Sequence, residues 1–331
     1  VRARPDGLGE RDVRLALAEG WRIDAAAVRY AALGGGSYHW VVRDGDGQRR
    51  FVTVDDLDDK AWLGSTRPAV MTGLRFAMDT ALMLRRRAGL EFVVAPVPGC
   101  DGTAVRPVGP RHAVAVFAFL SGVPGRWGEA VSAPERSALV DTLAALHRAT
   151  PAAADGAPVA AIELPRREAL DAALRDLGQP WRTGPFAEPA RAVLAGAEHQ
   201  VRRLLETFDR MAGAVRAGAV VLTHGEPHPG NIIRVGTQRM LVDWDTVGLA
   251  PPERDLWWVM GEAGEGSRRY AELTGRSADP AVLAFYRLRW ALDDISSFVN
   301  ELRGEHRHTA DTEHAWQSLK DAVAGATRDA G

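Results

Sequence analysis

The spacing of apolar residues changes period across SGVPGRWG (121–128), and that change limits the chain more than any single motif. Ahead of it the signals are those of strands. AVRYAAL (27–33) runs into GGGSYHWVVRD, DGDG (44–47) supplies a turn, and RRFVTV (49–54) alternates as a half-buried strand does. FVVAPVP (92–98) and HAVAVFAFL (112–120) extend the pattern, the second apolar enough to be buried. A short helix is expected over 10–19, and GLRFAMDTALMLRRRAGL (73–90) keeps helical spacing up to Gly89. Beyond the break the period is helical. PERSALVDTLAALHRAT (134–150) is amphipathic, PAAADGAPVAA (151–161) is a loop, and helices are expected over 165–177, 188–216, 252–262, 280–303 and 309–327. The expected architecture is α+β in two lobes, with a sheet-rich lobe over 1–120, a hinge near 117–122 and a mainly helical lobe over 121–331.

Charge and cysteine content narrow the function. A formal net charge of -2 and a pI near 6.6 give no basic field for nucleic acid. No apolar run approaches the roughly 18 residues of a membrane span. The opening VRARPDGLGERD has no apolar segment of signal-peptide type. A single cysteine, Cys100, rules out an internal disulfide or a cysteine-rich zinc site, and the cytoplasm is the expected location. Lys60 and Lys320 are the only lysines among 41 basic residues, so a step that needs lysine has few candidates.

The helical half is interrupted by LTHGEPHPGNII (222–233) and RMLVDWDTVG (239–248). His224, Glu226 and His228 alternate, but a zinc-protease helix needs its histidines four apart, and Pro227 and Pro229 forbid a regular helix. A zinc deaminase would need a downstream Cys-x-x-Cys, which the chain lacks. Phosphoryl transfer asks for something different: magnesium on the phosphates and a carboxylate to orient the attacking hydroxyl. Magnesium takes oxygen ligands, such as one carboxylate and one amide. Glu226, Asn231 five residues on, and Asp243 after the next apolar run supply those parts.

HGEPHPGN…LVDWD resembles the catalytic core of the aminoglycoside phosphotransferase (APH) family, small-molecule kinases with a protein-kinase-like fold. LGGGSYHWVV, VFAFLSG, LAALHRAT and PPERDLWW extend the resemblance over most of the chain. It implies a nucleotide-binding first lobe, ATP in preference to GTP, Mg2+, and a hydroxyl-bearing small molecule as acceptor, on a monomer or homodimer. By position, Glu226 stands for the family's catalytic aspartate, while Asn231 and Asp243 stand for its metal ligands. Gly35, Gly36, Ser37 and Tyr38 would cover the phosphates, and Phe117, Ala118, Phe119 and Leu120 would read the base. His224 and Asp255 would brace the catalytic loop, and Asp245 would serve as a supporting or substrate-contacting acid.

Two departures stand out. Glu226 is longer than aspartate by one methylene, roughly 1.5 Å. The third strand carries Thr53 or a neighbour, none of them lysine, where the family has its phosphate-binding lysine. Lys60 either reaches the phosphates from its loop or sits exposed among the acids of DDLDD (55–59), and the residues leave both open. Asp79 is the best match to the acid that pairs with the family's lysine, and arginines of RDGDGQRR offer another counter-charge. DGDGQ lacks the spacing of a calcium loop and reads as a hairpin turn. Along RLRWALDDISSFVNELRG (287–304), Asp293, Ser297 and Glu301 share a helical face, with Asp294 beside them. That face is either a solvated surface or a seat for a cationic acceptor such as an aminoglycoside-like antibiotic. An ordinary metabolite as acceptor, or a nucleotide-binding pseudokinase, are the alternatives.

Overall fold

The computed structural model describes residues 3–5, 7–215, 220–260 and 265–328. Residues Val1–Ala160 with Ala219–Ala278 form one compact unit, and Ala161–Gly218 with Asp279–Gly331 form a second. The lobe boundary expected at 120/121 falls inside the first unit.

The first unit opens with α1 (Glu10–Trp21), followed by β1 (Ala25–Ala31), β2 (Ser37–Asp44) and β3 (Arg49–Asp56). Then come α2 (Arg67–Arg86), β4 (Val105–Val108) and β5 (His112–Ala118). The strands make one antiparallel sheet in the order β1-β2-β3-β5-β4. Alternation decides its faces. Val52 and Val54 of β3 join Trp40, Val42, Val114 and Val116 in a core closed by Val13, Leu17 and Trp21 of α1. Phe51 and Thr53 lie on the opposite face and are only half-buried.

Two expectations fail here for proline-related reasons. FVVAPVP is not a strand: Pro96 and Pro98 lack the N–H a ladder needs, and only Val93 makes a bridge, to Leu241. The additional strand is instead the edge strand β4, where Pro107 is tolerated. Helix α2 begins six residues before 73, because Thr66 caps Ala69 N–H at 3.4 Å and Pro68 suits the first turn.

The chain continues through β6 (Val123–Pro124), α3 (Ala133–Arg148) and the one-turn α4 (Thr150–Ala153). Ser132 and Glu135 form a reciprocal cap at the start of α3. In the second unit, α5 (Arg167–Arg175), α6 (Ala187–Gly196) and α7 (Glu198–Val215) follow. The single helix expected over 188–216 is broken at Ala197, whose ψ of 7° leaves the helical region; residue 216 lies outside the described residues.

Back in the first unit, β7 (Val221–Thr223) leads to a 3-10 turn at Pro229–Asn231 and the hairpin β8 (Ile232–Val235) and β9 (Gln238–Leu241). β10 (Gly248–Ala250) pairs with β7, and β6 pairs with β8. Phe92 and Val94 exchange hydrogen bonds with Leu241, tying the segment after α2 to this hairpin. The helix expected over 252–262 is only α8 (Glu253–Leu256), and residues 261–262 lie outside the described residues. α9 (Glu265–Thr274) was not legible. α10 (Pro280–Arg303) and α11 (Ala310–Arg328) of the second unit fall where helices were expected. Among the described residues, no helix is long and apolar enough to cross a membrane.

Candidate active site

The loop after β7 is held by its backbone. Asp255, fully buried in α8, accepts the N–H of His224 at 2.9 Å and of Gly225 at 2.6 Å. Its Oδ2 also meets His147 Nε2 at 3.0 Å, and His147 Nδ1 meets the Tyr270 hydroxyl at 2.8 Å. Burial, the largest single influence, would raise the Asp255 pKa, but the His147 hydrogen bond together with the charges of His147, His224 and Arg254 holds the carboxyl below its usual range. Gly225 has φ +100°, and a Cβ there would lie 2.5 Å from Arg254 Nη2. Arg254 in turn donates to Thr223 Oγ1 and to the Thr246 carbonyl, each at 2.8 Å. His147, Tyr270 and Arg254 were not expected at the site. Their partners are far away in sequence, and the only available signal was a histidine on the apolar side of α3.

His224 uses both ring nitrogens. Nε2 donates to the Val242 carbonyl at 2.8 Å, and Nδ1 accepts the Glu226 N–H at 3.2 Å. With burial also lowering its pKa, the ring is a brace between the loop and the segment of Asp243. His228 packs edge-on to Trp127 and tilted against Trp258, with centroids 4.7 and 5.2 Å away; burial pushes its pKa down to about 4.

The motif residues converge through the β8–β9 hairpin. Ile232 pairs with Leu241, so Asn231 lies opposite Val242, whose N–H it accepts at 3.0 Å. Asn231 Nδ2 donates to the Glu226 carbonyl at 3.0 Å, which leaves its Oδ1 as the atom suited to a cation. Asp243 sits next to Val242 at φ +66°, a left-handed conformation unusual for a non-glycine residue. Although its side chain reaches the surface, the dense protein around it and the carboxylates of Asp245 and Glu226 push its pKa well up, with Lys60 opposing. Asn231 and Asp243 offer hard oxygen donors, the kind magnesium takes. Among the described residues no three His, Cys, Asp or Glu side chains form a metal cage.

Lys60 is not an exposed lysine in an acidic loop. It is 2% exposed, and its ammonium lies 2.5 Å from Asp245 Oδ2 and 3.1 Å from Asp55 Oδ1. Burial would lower its pKa, yet Asp245, Asp55 and Asp243 together hold it above its usual value. Asp55 also accepts the Ser37 hydroxyl at 2.7 Å. Two other acids of DDLDD are also paired: Arg111 binds Asp56 at 2.6 Å, and Arg67 binds the exposed Asp58 at 2.6 Å. Asp79 is not the lysine's partner. α2 buries Val70, Leu74, Ala77, Met78, Ala81 and Leu84, and Asp79 falls on the exposed face.

Gly35 and Gly36 lie in the exposed turn between β1 and β2, with φ +81° at Gly36, followed by buried Ser37 and half-buried Tyr38. Across the half-buried face of the sheet, His39 stacks on Phe51 at 5.0 Å and meets Thr53 Oγ1 at 3.3 Å; Phe51 pairs with Phe117. Burial, with the Lys60 charge nearby, pushes the His39 pKa down to about 3. Ala118 is exposed and Leu120 half-buried, while Phe119 lies under the Arg49 guanidinium, 3.5 Å from its ring centre. Arg50 turns to Asp44 and Gln48 of its own hairpin.

Asp293, Asp294, Ser297 and Glu301 lie on α10 in the second unit. Ser297 Oγ accepts from Arg166 at 3.2 Å. Burial raises the Asp293 pKa against the pull of Arg289 and Arg166, so this acid already faces cations of its own chain. Burial and then Asp293 push Asp294 up to about 7, and Glu301 is exposed. A cavity of about 700 Å3 in this unit is lined by Ile162, Leu164, Arg166, Arg167 and Phe208, among others.

The profile of the phosphotransferase enzyme family APH matches residues 27–286. A curated relative, Protein StrN of Streptomyces griseus, is 27% identical over 256 residues, covering 73% of this chain and 75% of the relative. The solved spectinomycin phosphotransferase APH(9)-Ia, in complex with ADP and spectinomycin, superposes with a TM-score of 0.76 at 14% identity, over 97% of this chain and 98% of its own. A microcompartment-associated aminopropanol kinase gives 0.59 at 17% identity, over 97% of each chain. Macrolide 2'-phosphotransferase MphH from Brachybacterium faecium gives 0.54 at 20%, over 92% of this chain and 96% of its own. These likenesses are likenesses of fold.

Proposed function

Because the chain belongs to the APH phosphotransferase enzyme family, we propose that it transfers the γ-phosphoryl group of ATP to a hydroxyl of a small molecule, in the cytoplasm. The observation that carries this reading is the shared frame of Glu226, Asn231 and Asp243. Asn231 bonds the Glu226 carbonyl with its side chain and Val242 with its backbone, so the three acidic and amide groups are positioned as a set. Asn231 Oδ1 and the Asp243 carboxylate would hold magnesium, which when bound neutralises phosphate oxygens. Glu226 orients the acceptor hydroxyl and takes its proton. The transition state of phosphoryl transfer is loose, so most of the rate comes from positioning, and a base need only be within reach. His224 has no nitrogen left for that task. The flat face of His39, Phe51 and Phe117 suits a planar base, with the backbone of Phe117–Leu120 at its edge.

The acceptor class we favour is a cationic antibiotic of aminoglycoside-like kind. Structural relatives include a spectinomycin phosphotransferase, and Asp294 and Glu301 add acids to the second unit. The aminopropanol kinase among those relatives keeps an amino alcohol as the second reading. Purified protein incubated with ATP and magnesium should consume ATP with one member of an antibiotic and metabolite panel, giving a phosphate ester identifiable by mass spectrometry. A protein that binds no nucleotide and turns over none of them would overturn the reading.

A further inference from the structure

Thr53 stands in β3 where a phosphate-binding lysine was expected, and its hydroxyl is directed to His39. Two residues on, and therefore on the same face of the strand, Asp55 receives both the Ser37 hydroxyl and the Lys60 ammonium. Lys60 reaches back from the loop after β3 and ends on Asp245, two residues beyond Asp243. Taking an ammonium out of water costs several kcal/mol unless close carboxylates compensate. A lysine with a purely local task could lie along the surface, as the acids Asp58 and Asp59 in its own loop do. This one is drawn in, between Asp55 at the end of β3 and the loop of the candidate metal ligand. Asp79 of α2, the acid expected to pair with a strand lysine, points to solvent.

We propose that the cation orienting the nucleotide phosphates has moved from β3 to Lys60, and that its carboxylate partner has moved from α2 to Asp245. The inference rests on the kinase reading above. In this arrangement the ion pair joins the end of β3 directly to the segment of Asp243, and Ser37 couples the glycine turn to the same lysine through Asp55. Helix α2 contributes packing only. When nucleotide enters, Lys60 divides its three N–H donors among Asp245, Asp55 and a phosphate oxygen, so the charge is already in place.

The test is an affinity series for adenosine, ADP and ATP with magnesium, measured by calorimetry on the full chain. In the wild type, affinity should rise from adenosine to ATP; a flat wild-type series would overturn the kinase reading itself. Lys60→Met should leave adenosine binding within about twofold and weaken ATP by about tenfold or more, the worth of one charged hydrogen bond. Lys60→Arg should keep most of the series, and Asp79→Asn should leave it unchanged. Should Lys60→Met fail to fold for want of a partner to Asp245, the double variant Lys60→Met/Asp245→Asn removes the pair together and should show the same phosphate-dependent loss. An equal penalty on adenosine and ATP would mean Lys60 only braces the fold, and that result overturns the proposal. So would an unchanged series in the lysine variants, or a flattened one in Asp79→Asn.

Discussion

At the scale of single residues, the sharpest question is the glutamate. Its backbone N–H is tied to His224 and its carbonyl to Asn231, so the loop is built around position 226 whatever side chain it carries. Glu226→Gln keeps the shape and removes the base; turnover should fall roughly 10²–10⁴-fold with nucleotide affinity nearly intact. Full turnover by Glu226→Gln on an authenticated acceptor would remove it from the mechanism. Glu226→Asp should also lose activity if the loop and acceptor are fitted to the longer side chain; a gain would mean the glutamate is a partial loss of function. The metal assignment has a direct check. Crystals grown with nucleotide and magnesium should show metal–oxygen contacts from Asn231 Oδ1 and Asp243 at about 2.1 Å, and an ion held elsewhere would dismiss the pair.

At the scale of elements, the loop after β7 depends on a four-residue helix. α8 is too short to be stable alone, yet its Asp255 satisfies two loop N–H groups and the His147 ring. Asp255→Ala would leave those donors buried without an acceptor. We expect a stability loss of roughly 3–5 kcal/mol, comparable to breaking a buried charged pair from one side. Urea denaturation of the variant measures it, and a loss below about 1 kcal/mol would make the anchor dispensable. Much of this level was readable. The strands of RRFVTV and HAVAVFAFL, and the helices at 134–150 and 280–303, follow from periodicity that neighbouring residues enforce. The misreadings fell where a local signal met a competing one. Pro96 and Pro98 cancelled a strand that apolar content favoured, and Thr66 with Pro68 started α2 earlier than its apolar stripe indicated.

At the scale of the whole molecule, the two units should answer acid in opposite ways. In the first, burial depresses the pKa values of His39 to about 3 and His228 to about 4, and lowers those of His112 and His224. A depressed folded pKa means that the unfolded chain takes up protons first. The stability these residues contribute is therefore complete above an unfolded value of about 6.5 and is lost as pH falls toward the folded values. Asp243 and Asp79, both raised, work against that loss. In the second unit, Asp294 is raised to about 7 and Asp293 is raised as well. Here the folded state takes up protons first, so stability increases as pH falls from about 7 toward the ordinary carboxyl range near 4. Hydrogen exchange at about pH 7.5 and about pH 5, corrected for intrinsic rates, should show protection dropping in β2 and β8 but holding or rising in α10. A uniform change across both units would refute the division of charge.

The sequence by itself determined the parts that short separation encodes: the Glu226–Asn231 spacing, the hairpin leading to Asp243, the glycine turn and most helices. Those follow from chain geometry, because residues a few positions apart cannot avoid one another. The tertiary structure alone decided which charges meet. Lys60 and Asp245 are 185 positions apart and His147 and Asp255 are 108 apart, and no spacing rule connects them. The rotation of α2 that turns Asp79 outward, and the packing that draws Lys60 inward, are set by how apolar faces fit together. A charge follows the backbone it is carried on, so the partner it reaches is fixed only once those faces have packed.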